Sequence, residues 1–323
     1  MRKFEITEGR KREEQSPRGI LSELSWKNLT IRCGAPDCSM RVKVQPAWLT
    51  RYRGIQFQQN WYHEVDCLQE ALLGRLYELL IPTRVPVSRA HRLPLGLLLV
   101  KRGAITPEEL REGLRLQKET GTGKLGYWLR QISTLTEDQI CGALSQQWAC
   151  PVFPLERHVA PPIWEQGVPF PLLAAAKAVP AFTTMNGQQW HVAFSDHVDH
   201  SLLYAMEEML DCRTIACVSR ESAIKECLEW LRRKSETTGI VFDTVRDPAE
   251  MAATICSYAA QLDIRTLKVV RAAGYLWVAF FRNGVRRDLL FRLRTSSGAE
   301  TTKAVAAPAD IRRDGVSKSG EEL

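Results

Sequence analysis

The sequence predicts a mixed α/β (α+β) protein of successive units, and three observations predict it. A stretch of about thirty residues occurs twice in tandem, with the caps and apolar spacing of helices. Asn186-Gly187 and Asn283-Gly284 each separate two apolar runs, which is a hairpin signal. Cys33, Cys38, His63 and Cys67 stand at spacings that suit a small metal-held module.

Composition bounds the answer. The 323 residues are 45% hydrophobic and 25% charged, ordinary for a globular chain of two or three modest domains. No apolar run reaches about 18 residues, so no transmembrane helix is expected. Met1-Arg2-Lys3-Phe4-Glu5 lacks a signal-peptide core, and a cytoplasmic location is expected. A net charge of +7 and a pI near 9.0 permit an anionic ligand, nucleic acid or an acidic membrane surface without choosing among them. Nine cysteines without a secretory signal argue against a disulfide framework. Cys141, Cys150, Cys212, Cys217, Cys227 and Cys256 read as small apolar residues of helices and strands.

Residues 1–18 read as a charged, disordered tail. Residues 19–80 read as a zinc module. Cys33 and Cys38 are spaced C-x4-C, a gap of 24 residues follows, and His63 and Cys67 are spaced H-x3-C. Three thiolates and one imidazole suit tetrahedral zinc, and four protein ligands close the site, so the metal would be structural. Gly34 and Pro36 favour a tight first turn. Metal binding would supply folding energy that so small a unit needs. The run from Trp61-Tyr62-His63 to Cys67 resembles the second knuckle of treble-clef or LIM-like fingers, modules that bind protein or nucleic acid. Pro82, Pro86 and Pro94 mark a linker over 79–95.

The repeat fills 93–150. Its first copy carries Leu95-Gly96, Leu99, Gly103, Thr106, Leu110, Leu114 and Gln117. Its second carries Leu125-Gly126, Leu129, Ser133, Thr136, Ile140, Leu144 and Gln147, each offset by thirty. Thr106 with Glu109, and Thr136 with Gln139, form capping boxes; Pro107 suits the first helical position. Leu110, Leu114 and Gln117 share one helix face, as do Ile140, Leu144 and Gln147. The sequence thus reads as two loop-helix units, with Gly96 and Gly126 in the loops. Two copies are too few for a solenoid, but they can build two similar half-pockets side by side.

Beyond Pro151 the pattern alternates. A short helix over 169–177, strands over 178–182 and 190–194, a helix over 198–210, a strand over 214–218 and a helix to about 233 are expected. Asp199 is placed to cap the 198–210 helix. Residues 238–294 read as a small β-α-β-β unit. A strand at 239–242 leads to a helix over 248–262, and two strands, one near 267–270 with 276–281 and one near 288–293, then pair around Asn283-Gly284. Residues 295–323 read as a disordered tail.

Residues 93–235 resemble the N-terminal domain of type II secretion and type IV pilus assembly ATPases. The resemblance rests on the two motifs and on Val168-Pro169, Leu172-Leu173-Ala174, Val179-Pro180, Val192-Ala193-Phe194-Ser195-Asp196 and Asp199. In some members of that family each tandem motif holds one half of cyclic di-GMP. The resemblance implies a ligand site at Leu95, Gly96, Leu99, Gly103, Leu110, Leu114 and Gln117, and at Lys124, Leu125, Gly126, Leu129, Leu144 and Gln147. It also implies secretion or pilus assembly proteins as partners. The family's opening Arg is Pro94 in the first motif and Lys124 in the second, and its later Gly is Ser133 in the second. Pro94 removes a cation and an N–H donor, and Lys124 keeps charge without the planar fork. Arg92 is a nearby cation.

A motor is not expected. Gly121-Thr122-Gly123-Lys124 imitates part of a Walker A loop, but Lys118 occupies the first glycine position and Leu125 the hydroxyl position. No catalytic constellation stands out. The sequence therefore predicts a non-enzymatic regulator or adaptor with structural zinc and cyclic di-GMP as ligand; a zinc-dependent nucleic-acid-binding regulator is the alternative.

Overall fold

The computed structural model describes residues 30–43, 54–81, 92–155, 167–234, 239–245 and 247–293. The two expected tails and most of the expected linker lie outside them. The architecture is mixed α/β, as the sequence predicts.

Its largest element is a six-stranded sheet. Strands β9 (Thr266–Ala272), β10 (Tyr275–Arg282) and β11 (Val285–Arg292) form an antiparallel meander, and β8 (Gly239–Phe242) joins β11 in parallel. Strand β10 is apolar on both faces. Tyr275, Trp277 and Ala279 enter one core, whereas Leu276, Val278 and Phe280 enter another. Such a strand reads as a continuous apolar run because side chains alternate while both faces are covered. Helix α9 (Pro248–Leu262) packs on the second core, its N-terminus capped by Asp247, and helix α7 (His200–Leu210) packs on the first. The meander holds one more strand than the β-α-β-β reading. Ala273-Gly274, with φ of 48° and 80°, closes a two-residue hairpin inside the run read as one strand. Positive φ at both positions is what a type I′ turn demands, and Ala-Gly is a weaker signal for it than Asn-Gly. Asp288 is the one buried carboxylate among the described residues, and no basic side chain among them is buried. It accepts from Trp277 Nε1 at 2.9 Å and Arg286 Nε at 3.1 Å, so its burial is compensated.

The other edge of this sheet comes from the N-terminal unit. Strands β3 (Ile55–Phe57) and β4 (Asn60–Tyr62) form a hairpin, and β3 pairs in parallel with β9. Helix α1 (Val65–Leu80) lays Leu68, Leu72 and Leu76, all fully buried, into the core that holds α9. A short ribbon of β1 (Thr30–Arg32) and β2 (Arg41–Lys43) precedes them. The N-terminal and C-terminal units, separate along the chain, thus share one sheet and one core.

A three-stranded sheet lies between them in sequence. Strands β5 (Ala178–Thr184) and β6 (Gln189–Phe194) are antiparallel around a tight turn at Asn186-Gly187, and β7 (Arg213–Val218) is parallel to β6. Helices α6 (Phe170–Ala176), α7 and α8 (Glu221–Lys234) surround it, and Asp199 caps α7 by accepting from the N–H groups of Ser201 and Leu202.

The tandem segment forms four helices, α2 (Leu95–Lys101), α3 (Pro107–Thr120), α4 (Leu125–Ile132) and α5 (Glu137–Trp148). Each repeat is therefore helix-turn-helix rather than loop-helix, because the apolar stretch opening each copy contains no breaker strong enough to keep it extended. Both capping boxes form. Gly96 and Gly126 sit inside the opening helices. A methyl at Gly96 would meet Leu110 Cδ1 at 2.4 Å, and one at Gly126 would meet Ile140 Cδ1 at 3.4 Å. The same helix crossing is thus built twice. Leu99 and Leu129 are fully buried at equivalent places in this helical core. Leu129→Ala should cost about 2–5 kcal/mol, as large-to-small core changes do, measurable as a lower denaturant midpoint. A cost below about 1 kcal/mol would mean that the helices are not packed as described.

Candidate functional site

The four tandem helices meet the β6–β7 end of the three-stranded sheet along a cleft of about 770 Å³. Two contacts fix this junction. Arg220 donates from Nε and Nη2 to both carboxylate oxygens of Asp138, at 2.6 and 2.7 Å. Ser222 Oγ donates to Glu137 Oε2 at 2.6 Å. The acidic first turn of α5 is thereby bound to the start of α8.

Equivalent residues of the two motifs converge on the cleft. Leu95 and Leu125 line it, as do Gln117 and Gln147. The glutamines are crossed. Gln117 Nε2 donates to Gly123 O at 3.0 Å, and Gln147 Nε2 donates to Leu93 O at 2.7 Å. Positions 93 and 123 are themselves thirty apart, so each copy's last helix holds the loop that opens the other copy. Lys124, Gly126 and Leu144 also line the cleft.

Six of the expected ligand residues do not reach it. Leu99 and Leu129 are fully buried in the helical core, and Leu110 packs against that core. Gly96 lies under Leu110. Leu114 is 47% exposed and points elsewhere. Gly103, at φ 68°, ends α2 in a conformation that favours glycine. Its counterpart Ser133 ends α4 with an extended backbone, φ −137°, and its hydroxyl donates to Leu129 O, so the second motif has no need of glycine there. The Walker-like glycines have a local role: Gly121 ends α3 in the left-handed region and Gly123 passes close to Trp128.

Sequence reasoning missed most of the charged lining. Lys124 Nζ is closed off from solvent, 2.8 Å from Asp196 Oδ2 and 3.5 Å from Glu221 Oε1. Burial opposes its charge, but the two carboxylates outweigh burial and hold its pKa above the ordinary lysine value. Arg130 pairs with Glu137, and Lys225 with Glu221 at 3.2 Å. Every cation on the cleft wall thus already faces a carboxylate. His197 is the largest influence holding Asp196 well below the usual carboxylate range; burial opposes it, and Lys124 adds to the lowering. His197 is raised in turn, chiefly by Asp196. Trp148 completes the wall, with the Arg92 guanidinium 3.8 Å from its ring centroid and its indole N–H closed off without an acceptor among the described residues. The signal for Asp196 was present in its place before the α7 cap; Glu221 and Lys225 gave none.

The second site is the cysteine–histidine cluster. Cys33 and Cys38 flank the turn between β1 and β2, His63 follows β4, and Cys67 lies in the first turn of α1. Their four ligand atoms lie within 4.8 Å of one another, and Cys38 Sγ is 3.4 Å from His63 Nδ1. Tetrahedral zinc, with zinc–sulfur bonds of about 2.3 Å, needs ligand sulfurs about 3.8 Å apart, which this cluster accommodates. The supporting shell is present too. His63 Nε2 faces Glu64 Oε1 at 2.9 Å, and Met40 N donates to Cys38 Sγ at 3.5 Å. Burial raises the Cys33 thiol, but hydrogen bonds from His63 and from backbone N–H groups outweigh it and bring its pKa to about 7. Burial and the neighbouring thiols push Cys67 up to about 12. These four residues could hold a metal ion.

No family model and no curated protein matches the chain. Solved structures do. A structure of MshE with cdg is 26% identical, spans 43% of this chain and 99% of that one, and has a TM-score of 0.35. Two structures of the N-terminal domain of XpsE, 16% and 18% identical, span 42% and 41% of this chain and 91% and 89% of theirs, with TM-scores of 0.33 and 0.26. Among the described residues no helix is long and apolar enough to cross a membrane.

A pH test follows from Asp196. A carboxyl depressed by folding contributes stability above its unfolded pKa, about 3.9, and loses it as pH falls through the lower folded value. Asp196→Asn should therefore lower the unfolding midpoint at pH 7, and the gap from the native chain should shrink at pH 3 and below. An equal gap at both pH values would show that Asp196 acts by packing alone.

Proposed function

We propose that the chain is a non-enzymatic regulator or adaptor of a type II secretion or type IV pilus system, acting in the cytoplasm and reading cyclic di-GMP in the tandem-motif cleft. One observation carries this reading: Leu95 with Leu125, and Gln117 with Gln147, bring the two motifs to one cleft. A ligand of two equivalent halves matches a wall of two equivalent halves, and the volume is that of a small-molecule site. The motif resemblance to the secretion and pilus ATPase N-terminal domain supplies the ligand and the pathway. Zinc at Cys33, Cys38, His63 and Cys67 has a structural role, since four protein ligands leave no open coordination position.

The charge pattern sets the terms of binding. A phosphate reaching Lys124 must compete with Asp196 and Glu221, which already neutralise it. The apolar and aromatic wall, Leu95, Leu125, Tyr127 and Leu144, then carries much of the contact with the bases.

Calorimetry with cyclic di-GMP up to about 100 μM should give one ligand per chain. Asp196→Asn should tighten binding about three- to fivefold by freeing Lys124. Tyr127→Ala, at a 55% exposed residue whose loss leaves the core intact, should weaken it. No heat and no thermal shift would remove the sensor reading, and a salt-sensitive gel shift with DNA or RNA would favour a nucleic-acid regulator instead.

A further inference from the structure

Among the described residues, the N-terminal unit has no core of its own. All three residues of β1 are exposed. The residues it buries, including Cys33, Ile55, Phe57, Tyr62 and the three leucines of α1, enter the core formed by α9 and the six-stranded sheet. Its strands are short: β3 matches β9 at two positions, Gln56 with Thr266 and Phe57 with Leu267. Gln56 N donates to Arg265 O at 2.8 Å, and Arg271 Nη1 donates to Leu79 O at 3.0 Å. Strands of three residues are marginal by themselves, and closing a loop of about two hundred residues carries an entropic cost.

The four candidate ligands stand where this attachment begins. Cys33 lies in the shared core and bridges to Trp61 on β4, and Gly34 N donates to Trp61 O at 2.8 Å. His63 joins β4 to α1, and Cys67 belongs to the first turn of α1, one residue before buried Leu68. An ion held by all four would fix the turn of β1 and β2, the β3–β4 hairpin and the start of α1 as one piece, with Phe57, Leu68, Leu72 and Leu76 presented together.

We infer that the metal ion is the clasp that closes the N-terminal and C-terminal units into one domain, so that zinc binding and the covering of β9 and α9 are a single cooperative event. This rests on the zinc reading above. Without the ion the β3–β4 hairpin leaves, β9 becomes a sheet edge, and the face of α9 under Leu72 opens. Exposed edges of this kind are templates for pairing with another chain. Zinc occupancy thereby governs whether the C-terminal sheet is closed or available.

The test is hydrogen exchange on the full chain, zinc-loaded and after chelation. Amide protection in β9 and α9 should fall by about tenfold or more together with that of 30–43 and 54–81, while α2 to α5 change little. The reverse leg uses Leu72→Ala, which leaves all four ligands in place. By reciprocal linkage it should weaken zinc binding by about tenfold, measured by competition with a chromogenic chelator. A chain that binds zinc, yet loses protection only within 30–67 on chelation or keeps full zinc affinity as Leu72→Ala, overturns the clasp alone. A chain that takes up no zinc overturns the zinc reading and the clasp with it.

Discussion

Strand β10 must be covered on both faces, and much of the molecule answers that constraint. Its alternate residues feed two cores, with Trp277 fully buried on one side and Phe280 nearly so on the other. No single neighbour in sequence can cover both. Helix α9 takes one face, and α1, far away at the other end of the chain, completes that cover; α7 and the three-stranded sheet take the opposite face. The buried Asp288 tolerates this setting because Trp277 and Arg286 both donate to it, and Arg286 also donates to Gly167 O at 2.7 Å. Burying apolar area on both faces supplies the dominant stabilisation, and it draws the N-terminal and C-terminal units onto one core.

The tandem helices are attached to this body more lightly. Their own core is small, and the junction to the three-stranded sheet is made by Cys141, Leu144 and Val218 with the Arg220–Asp138 pair beside them. A cleft between a compact helical unit and a larger scaffold is a common place for a ligand, because each side can be rigid while the gap stays open to solvent. The wall is balanced in charge rather than cationic. That distinguishes this cleft from a simple anion trap.

What was legible in the sequence follows from how local each signal is. Capping boxes at Thr106 and Thr136, the turn at Asn186-Gly187 and the cap at Asp199 are decided within a few residues, and the structure has them where the sequence places them. The cysteine–histidine cluster was legible because thiolates and imidazole at those spacings are a recognisable set of candidate ligands, and their ligand atoms do lie within 4.8 Å of one another. The hairpin at Ala273-Gly274 was hidden, since alanine rarely takes the positive φ found there. The pairing of β3 with β9 was equally hidden, because strands some two hundred residues apart leave no periodic trace. The cleft was half legible. Repetition pointed to Leu95, Leu125, Gln117 and Gln147, but the same repetition also marked Leu99, Leu110 and Leu129, which serve packing; an apolar residue spaced on a helix looks alike whether it faces a core or a groove.

The crossed glutamines restrict how the duplication can change over generations. Gln147 reaches back to Leu93 and Gln117 forward to Gly123, so removing either copy would strand the amide of the survivor and release its entrance. A single unit is therefore no smaller version of the pair, and an insertion between the copies would strain both exchanges at once.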